Sequence, residues 1–239
     1  YHTIIFNPLY NGLIFLMDVL PFIDAGIAVI LFTLLIRAIL FPLSKKAIVT
    51  QVRMKEIEPE LNRLKAQVTD KQEQARQVMA LYKEKQVNPF SSFLVLLIQL
   101  PIIYALYSIF IHAGLPEVQT DLLYSFVKVP EIKMSFLGLF DISQKSVVLS
   151  LVAAASQFLQ LHFSLAGGSA PKPAAGTVPS QMDMAQGMMR NMKYVFPVIV
   201  FLISYKISAV VALYWAVSSL FTLGQELVVR RHLKKHQPL

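Results

Sequence analysis

The chain has 239 residues, of which 55% are hydrophobic and only 15% are charged, and its mean hydropathy is +0.56. This composition excludes an ordinary soluble domain and indicates a membrane protein that crosses the bilayer several times. The net charge is +8, and most of the 22 Lys and Arg fall in segments that we assign to one side of the membrane. The positive-inside rule explains this balance, so we expect no specific recognition of nucleic acid.

The sequence contains no cysteine, which excludes disulfides, thiolate catalysis and cysteine-ligated zinc. It also lacks the histidine and serine motifs typical of metalloproteases and serine hydrolases. We therefore expect neither an enzyme nor a bound metal or cofactor. Because the chain begins at Tyr1 without a signal peptide, we expect it to be a processed or trimmed product.

Residues 6–20 have apolar side chains near helical spacing, interrupted by Asn11 and Asp18. This stretch is too short and too mixed to span a bilayer. We predict an interfacial helix within an extracytoplasmic segment, residues 1–23. No Lys or Arg precedes Arg37, so we place the N-terminus outside the cell.

The first transmembrane helix is predicted over residues 24–43, and it carries Arg37 with no acidic residue nearby in the sequence. A cation inside the hydrocarbon costs about 2.5–3.5 kcal/mol. One interpretation is that the Arg37 guanidinium reaches the headgroups, as long basic side chains do. The other is that Arg37 lines a water-filled cavity.

Residues 44–87 are rich in charge and carry two sets of apolar positions at helical spacing. This pattern predicts a cytoplasmic helical hairpin, kinked at Pro59, whose second helix is capped by Thr69 or Asp70. Its Lys and Arg fit a solvated face or a specific docking patch.

Residues 88–239 are predicted to hold transmembrane helices two to five. The second span, residues 90–112, contains Gln99 and Pro101. An external loop over residues 113–145, with partial helical character, separates it from the third span, residues 146–165.

We predict a cytoplasmic linker over residues 166–191, after the third span, because the first part of this stretch is rich in Gly, Pro and Ala. The methionines of residues 181–193 fit an interfacial helix or a soft surface for hydrophobic clients. The fourth span, residues 192–205, is short, so we expect local thinning of the bilayer. The fifth span, residues 208–229, precedes a basic C-terminal tail, residues 230–239, on the cytoplasmic side.

Three predicted spans carry polar side chains along one face. Interhelical hydrogen bonds explain some of these groups, but they do not explain a lone arginine. A salt bridge from Arg37 to Glu226 is the alternative to a wet cleft. The polar faces comprise Thr33, Arg37 and Ser44 in the first span, Ser146, Ser150, Gln157, Gln160 and Ser164 in the third, and Ser208, Trp215, Ser218, Thr222 and Gln225 in the fifth.

Four stretches of the chain, taken with its arginine-bearing first span, closely resemble the YidC/Oxa1/Alb3 family of membrane protein insertases. They are MKEIEPELNRL and QVMALYKEKQVNP in the charged segment, LLIQLPIIYALY in the second span and LYWAVSSLFTLGQELVVRR near the C-terminus. The resemblance covers essentially the whole chain in the same order. The sequence departs from the family in having a short C-terminal tail, which argues against strong tail-mediated ribosome binding. It also departs in lacking a large N-terminal extracytoplasmic domain.

The resemblance implies an all-α membrane protein with five transmembrane helices, an N-terminal interfacial helix and a cytoplasmic helical hairpin. It also implies a hydrophilic groove that is open to cytoplasm and lipid and binds clients. We expect the groove to be lined by Arg37, Thr33, Gln99, Gln157 and Trp215, with Ser218 on the same polar face as Trp215.

The function expected from the resemblance is insertion and chaperoning of newly made membrane proteins, with Arg37 attracting acidic client tails. The expected partners are nascent membrane proteins and the lipid bilayer, with the ribosome and the Sec translocon as further candidates. We expect a multi-pass protein of the bacterial plasma (inner) membrane. The alternative function is a small-solute channel or transporter with a polar intramembrane cavity.

Overall fold

The computed structural model describes residues 2–68, 70–88, 91–112, 115–165 and 181–236. A π-helical turn, His2–Phe6, precedes the first α-helix, and a second one, Ser108–His112, extends the sixth. The α-helices are α1 Asn7–Val19, α2 Ala25–Ile39, α3 Phe41–Glu56, α4 Glu58–Gln67, α5 Lys71–Glu84, α6 Ser91–Tyr107, α7 Val147–Leu165, α8 Gln181–Ile207 and α9 Ala209–His236.

The helix predicted within residues 6–20 is observed as α1, and it packs one apolar face into the protein core. Tyr10, Leu13 and Ile14 are fully buried there, where α1 contacts α2 and α6. Asn11 is also buried, at 2% exposure. Its side chain donates to the Leu122 carbonyl (2.8 Å) and accepts from the Tyr124 amide (2.6 Å), so it ties α1 to the segment that follows α6.

The first predicted span, residues 24–43, ends earlier than expected. Asp24 caps α2 by accepting a hydrogen bond from the Ile27 amide (2.8 Å), but α2 ends at Ile39. The axis of α3 is turned by 66° from that of α2. Pro42, in the first turn of α3, is the cause, because proline has no amide proton and its ring clashes with the preceding helical turn.

Helices α4 and α5 pack on each other around a small core of their own. Its buried members include Ile57, Leu61 and Val78, joined by Leu81, Tyr82 and Val87. The kink predicted at Pro59 occurs as a break at Ile57, with the proline in the first turn of α4. Asp70 caps α5 through the Gln72 amide (3.0 Å), whereas Thr69 lies outside the described residues.

The segment between α6 and α7 contains elements that the sequence did not predict. It has a 3₁₀ turn, Thr120–Leu122, and a two-stranded antiparallel hairpin of β1 Ser135–Phe136 and β2 Phe140–Asp141. The hairpin packs against the start of α2 so closely that a Cβ on Gly26 would lie 2.5 Å from the Phe136 Cβ. These strands were missed because two-residue strands leave almost no alternating pattern.

Residues 181–191, the second part of the predicted linker, are helical, as the interfacial-helix interpretation expected, but they are continuous with the predicted fourth span in the 27-residue helix α8. Their methionine, glutamine and arginine side chains are good helix formers, so the helix has no reason to end before the apolar run. Residues 166–180, the Gly/Pro/Ala part of that linker, lie outside the described residues, as do residues 237–239 of the predicted tail.

Helix α9 is the central element, because it contacts α2, α3, α6, α7 and α8. Residues 209–216 are buried without interruption. Among the described residues, α7 and α9 are long and apolar enough to cross a membrane, and α2 with α3 adds a third crossing if the bent pair is one span. The count of five spans and the cytoplasmic hairpin stay predictions.

Candidate functional site

Arg37 lies in the last turn of α2, with its side chain directed into the protein. The residue is only 8% exposed. Its Nη2 donates to Gln99 Oε1 of α6 (2.5 Å), and its Nε donates to Ser218 Oγ of α9 (3.3 Å). Three helices therefore converge on one guanidinium, and both of these hydrogen-bond partners are neutral.

The polar cluster of Arg37, Gln99 and Ser218 includes a fourth residue, Tyr214. Gln99 Nε2 donates to the Tyr214 hydroxyl of α9 (3.1 Å), and Tyr214 is 1% exposed. Tyr214 was not predicted as a site residue, because an aromatic residue in an apolar helix is most often a core residue. The available signal was its spacing, since Tyr214 precedes Ser218 by four positions and so shares its helix face.

The salt bridge between Arg37 and Glu226, the alternative to a wet cleft, is not formed. Glu226 pairs with Arg230, one turn further along α9, and accepts a hydrogen bond from Ser164 at the end of α7. The i,i+4 spacing places Arg230 beside Glu226 without any help from another helix. No carboxylate within the described part of the chain pairs with Arg37.

Two further cations meet at the C-terminal end of α7. Lys55 Nζ of α3 and Arg230 Nη2 of α9 both donate to the Ser164 carbonyl, at 2.6 and 3.0 Å. The unpaired carbonyls at a helix C-terminus carry partial negative charge, which favours cations there. This contact ties α3, α7 and α9 together.

A polar cavity of about 40 Å³ lies between Arg37 and Glu226. This volume is large enough to hold water. The bend before α3 brings that helix across one side of the cavity, and the hydrophilic groove stays a prediction. The remaining lining residues are Ser44, Ala47, Ile48, Gln51, Gln160, Ser164 and Thr222.

Gln157 and Trp215 form a network between α7 and α9 that reaches the cavity only through Gln160. Gln157 Oε1 accepts from Trp215 Nε1 (2.8 Å) and from Ser219 Oγ (3.1 Å), while its Nε2 donates to Gln160 Oε1 (2.7 Å). Both residues are about 5% exposed. Neither belongs to the cavity lining, and this geometry is typical of interhelical hydrogen bonding.

Thr33 is buried at 1% exposure, and its hydroxyl donates to the Val29 carbonyl within α2 (2.6 Å). Of the predicted groove residues, the structure therefore brings together Arg37, Gln99 and Ser218. It places Thr33, Gln157 and Trp215 in contacts of their own.

Comparison with known proteins gives a family. The family model described as "60Kd inner membrane protein" matches residues 16–236. The membrane protein insertase YidC of Clostridium perfringens is 34% identical over 234 residues, covering 93% of this chain and 85% of that protein. The insertase YidC of Fusobacterium nucleatum is 32% identical over 207 residues, covering 86% of each.

A solved structure titled as an active YidC insertase with its first transmembrane domain resolved has a similar fold. The TM-score is 0.57 at 23% identity, over 94% of this chain. This chain spans 45% of that protein's chain. The fold and the sequence matches agree, and the chain is a membrane protein of the 60Kd inner membrane protein family, which is the YidC/Oxa1 family.

Proposed function

We propose that this protein inserts newly made membrane proteins into the bacterial plasma membrane and assists their folding. The observation that carries the proposal is a buried guanidinium, Arg37, held by the neutral groups of Gln99 and Ser218 beside a polar cavity. Its relatives in Clostridium and Fusobacterium, which bear the name membrane protein insertase, support the same function.

The physical problem for such a protein is the client's hydrophilic tail. Each charge carried through hydrocarbon costs several kcal/mol. When no carboxylate pairs with a buried arginine, its positive charge is not neutralised locally and can attract an incoming anionic group. We infer that Arg37 attracts a client's acidic tail transiently, and that Gln99 and Ser218 hold the guanidinium in place meanwhile.

The cavity must widen to admit a peptide. It is bounded on one side by α3, which is already bent away from α2 at Leu40. We infer that movement of α3 about this bend opens the cavity into a hydrophilic groove that faces cytoplasm and lipid. The client's apolar segment then leaves into the bilayer, where burial of its side chains favours release.

In this proposal the termini lie on opposite sides, with the N-terminus outside and the C-terminus in the cytoplasm. The α4–α5 pair is the cytoplasmic helical hairpin, and its charged surface faces the side from which clients arrive. The clients are nascent membrane proteins, delivered with or without the ribosome and the Sec translocon. No nucleotide is needed, because the membrane potential contributes about 2.3 kcal/mol per charge per 100 mV.

The decisive experiment compares Arg37→Ala and Arg37→Lys in cells depleted of the native protein. The client is a single-spanning protein with either two aspartates or two asparagines in its translocated tail. We expect Arg37→Ala to reduce insertion of the aspartate client about tenfold, equivalent to about 1.4 kcal/mol, and Arg37→Lys to retain most of it.

Arg53→Ala is the matched control, because Arg53 is an exposed arginine on α3. We expect it to insert both clients normally. Equal insertion of the aspartate client by Arg37→Ala and the native protein would refute the electrostatic role of Arg37. Normal growth and insertion after complete depletion would refute the insertase function itself.

A further inference from the structure

The β1–β2 hairpin ends in a tight turn that presents two leucines to the outside. Phe136 pairs with Phe140, and the Leu139 amide donates to the Phe136 carbonyl (3.1 Å). The two central residues, Leu137 and Gly138, have φ values of +54° and +67°. Positive φ at both positions is the mark of a type I′ turn.

Leucine is an unusual residue at this turn position. Left-handed backbone favours glycine, asparagine and aspartate, because a larger side chain clashes with its own backbone. Leu137 nevertheless occupies it and is 59% exposed, and Leu139 is 77% exposed. Two leucines at the tip of a water-exposed turn would leave apolar surface in contact with solvent.

The turn is held against the start of α2 by three contacts. Asp24 Oδ2 accepts from the Leu137 amide (2.6 Å), and the Ala25 amide donates to the Lys133 carbonyl (2.9 Å). Phe136 packs directly on Gly26. Phe22, which is 82% exposed, lies two residues before Asp24 and adds a third large apolar side chain to this end of α2.

We propose that Leu137, Leu139 and Phe22 form a lipid-docking surface that enters the leaflet at the N-terminal end of α2. Lipid is the occupant that the surroundings favour, because the turn is hydrogen-bonded to the start of α2, and α2 itself exposes leucines further along, at Leu31, Leu34 and Leu35. Residues 134–140, Met-Ser-Phe-Leu-Gly-Leu-Phe, carry no charge, whereas the exposed Lys133 just before them suits lipid phosphates.

The docking surface has a consequence for the functional site. Because the turn is bonded to the first residues of α2, its position in the leaflet fixes the depth at which that helix starts. Arg37 lies twelve residues beyond Ala25, or about 18 Å along the helix at about 1.5 Å per residue. The depth of the β1–β2 turn in the leaflet therefore sets how deep the Arg37 guanidinium lies in the bilayer.

The absence of native cysteine allows a direct test with single nitroxide labels. Leu139→Cys is labelled in the full-length protein, which is reconstituted in phosphatidylcholine and phosphatidylglycerol vesicles. Collision with oxygen and with a water-soluble nickel chelate is then measured. We expect the Leu139 label to be reached at least several times more readily by oxygen than by the chelate, as in a bilayer.

The matched control is Glu131→Cys, because Glu131 is an exposed residue of the same segment and should remain in water. A label at 139 as accessible to the chelate as the label at 131 would overturn the proposal. Protection from both reagents would also overturn it, because a protein surface would then cover the turn.

Leu137→Asn provides a second variant that keeps the fold, since asparagine suits left-handed backbone. In this background we expect the label at position 139 to move toward water while the circular dichroism stays unchanged. An unchanged depth would remove Leu137 from the docking surface. This inference does not rest on the proposed insertase function, because neither measurement uses a client.

Discussion

At the scale of single residues, Gln99 has a role beyond that of one hydrogen-bond partner. Its oxygen accepts from Arg37, and its nitrogen donates to Tyr214. The two ends of the amide are therefore not interchangeable, and the side chain is locked between α2 and α9. Gln99 supplies dipolar stabilisation to the guanidinium without neutralising its charge.

Replacing Gln99 should separate stability from activity. Gln99→Glu places a carboxylate beside Arg37, so we expect a more stable protein, by about 1 kcal/mol, that inserts acidic-tailed clients poorly. Gln99→Leu removes a hydrogen bond to a charged group, so we expect a loss of about 1.5–3 kcal/mol. Thermal unfolding in detergent and an insertion assay measure the two effects.

Leu100→Ala serves as the control, since Leu100 is the next residue and is 54% exposed. We expect it to change neither quantity. If Gln99→Glu inserted acidic clients as well as the native protein, the residual charge on Arg37 would have no part in client attraction.

The polar residues of the site were predictable because charge and amide groups stand out in an apolar helix. Arg37, Gln99 and Ser218 were found in this way, and the structure joins them. Which polar residues meet each other was not predictable. Gln157 and Trp215 share a face with other polar groups in the sequence, yet their partners depend on the rotation of α7 against α9.

At the scale of elements, the α4–α5 pair is held by its own apolar cluster, with a surface ion pair and a hydrogen bond from Gln74 to the Lys65 carbonyl beside it. Leu61 and Val78 are buried at 5% and 0% exposure, and Glu60 contacts Lys85 at 3.1 Å. The Glu60 carboxylate raises the pKa of Lys85, and burial raises the pKa of the Tyr82 hydroxyl. The apolar contacts carry the stability, because exposed ion pairs contribute little.

Truncation of Leu61 should loosen this pair selectively. A buried Leu→Ala change costs about 2–5 kcal/mol, so we expect Leu61→Ala to accelerate amide hydrogen exchange throughout α4 and α5. Exchange in α7 and α9 should stay unchanged, because those helices belong to a different apolar cluster. Hydrogen exchange with mass spectrometry on the full-length protein measures this.

Met79→Ala is the matched control on α5. Met79 is an apolar residue next to the buried Val78, but its own side chain is 53% exposed. We expect no change in exchange for this variant. Equal acceleration by both substitutions would mean that the observed packing of α4 on α5 is not what stabilises them.

Helix ends were the least predictable features. The end of α2 at Ile39 was signalled by Pro42, but the apolar run continues past it and favoured a longer span. The continuity of α8 from Gln181 was not predictable, since the change from polar to apolar residues indicated an interfacial helix separate from the fourth span. Composition marks the membrane boundary, whereas helix bounds depend on backbone chemistry.

At the scale of the whole molecule, the order of helices was predictable from alternating apolar and charged stretches, and the structure follows that order. The contacts that bring residue 24 to residue 137, or residue 11 to residue 122, were not predictable, because main-chain partners leave no trace in the sequence. These contacts hold the segment between α6 and α7 on α1 and α2.

The proposed orientation predicts which segments reagents reach from outside the cell. In intact cells we expect a membrane-impermeant maleimide to label Asp121→Cys almost completely. Arg76→Cys should remain nearly unlabelled until the membrane is permeabilised. Both positions are exposed, so differences in burial do not decide the result. Labelling of both from the same side would refute an arrangement in which these segments lie across the membrane from each other.

The start of α9 has a consequence for how freely the sequence can change. The Ala209 amide donates to the Gln144 carbonyl (2.8 Å), and the Val210 amide donates to the Ile142 carbonyl (3.0 Å). These two hydrogen bonds join main-chain atoms, so they do not depend directly on which side chains these residues carry. Substitution of the exposed Gln144 should therefore leave this junction intact. Proline at 209 or 210, which has no amide proton, should break it.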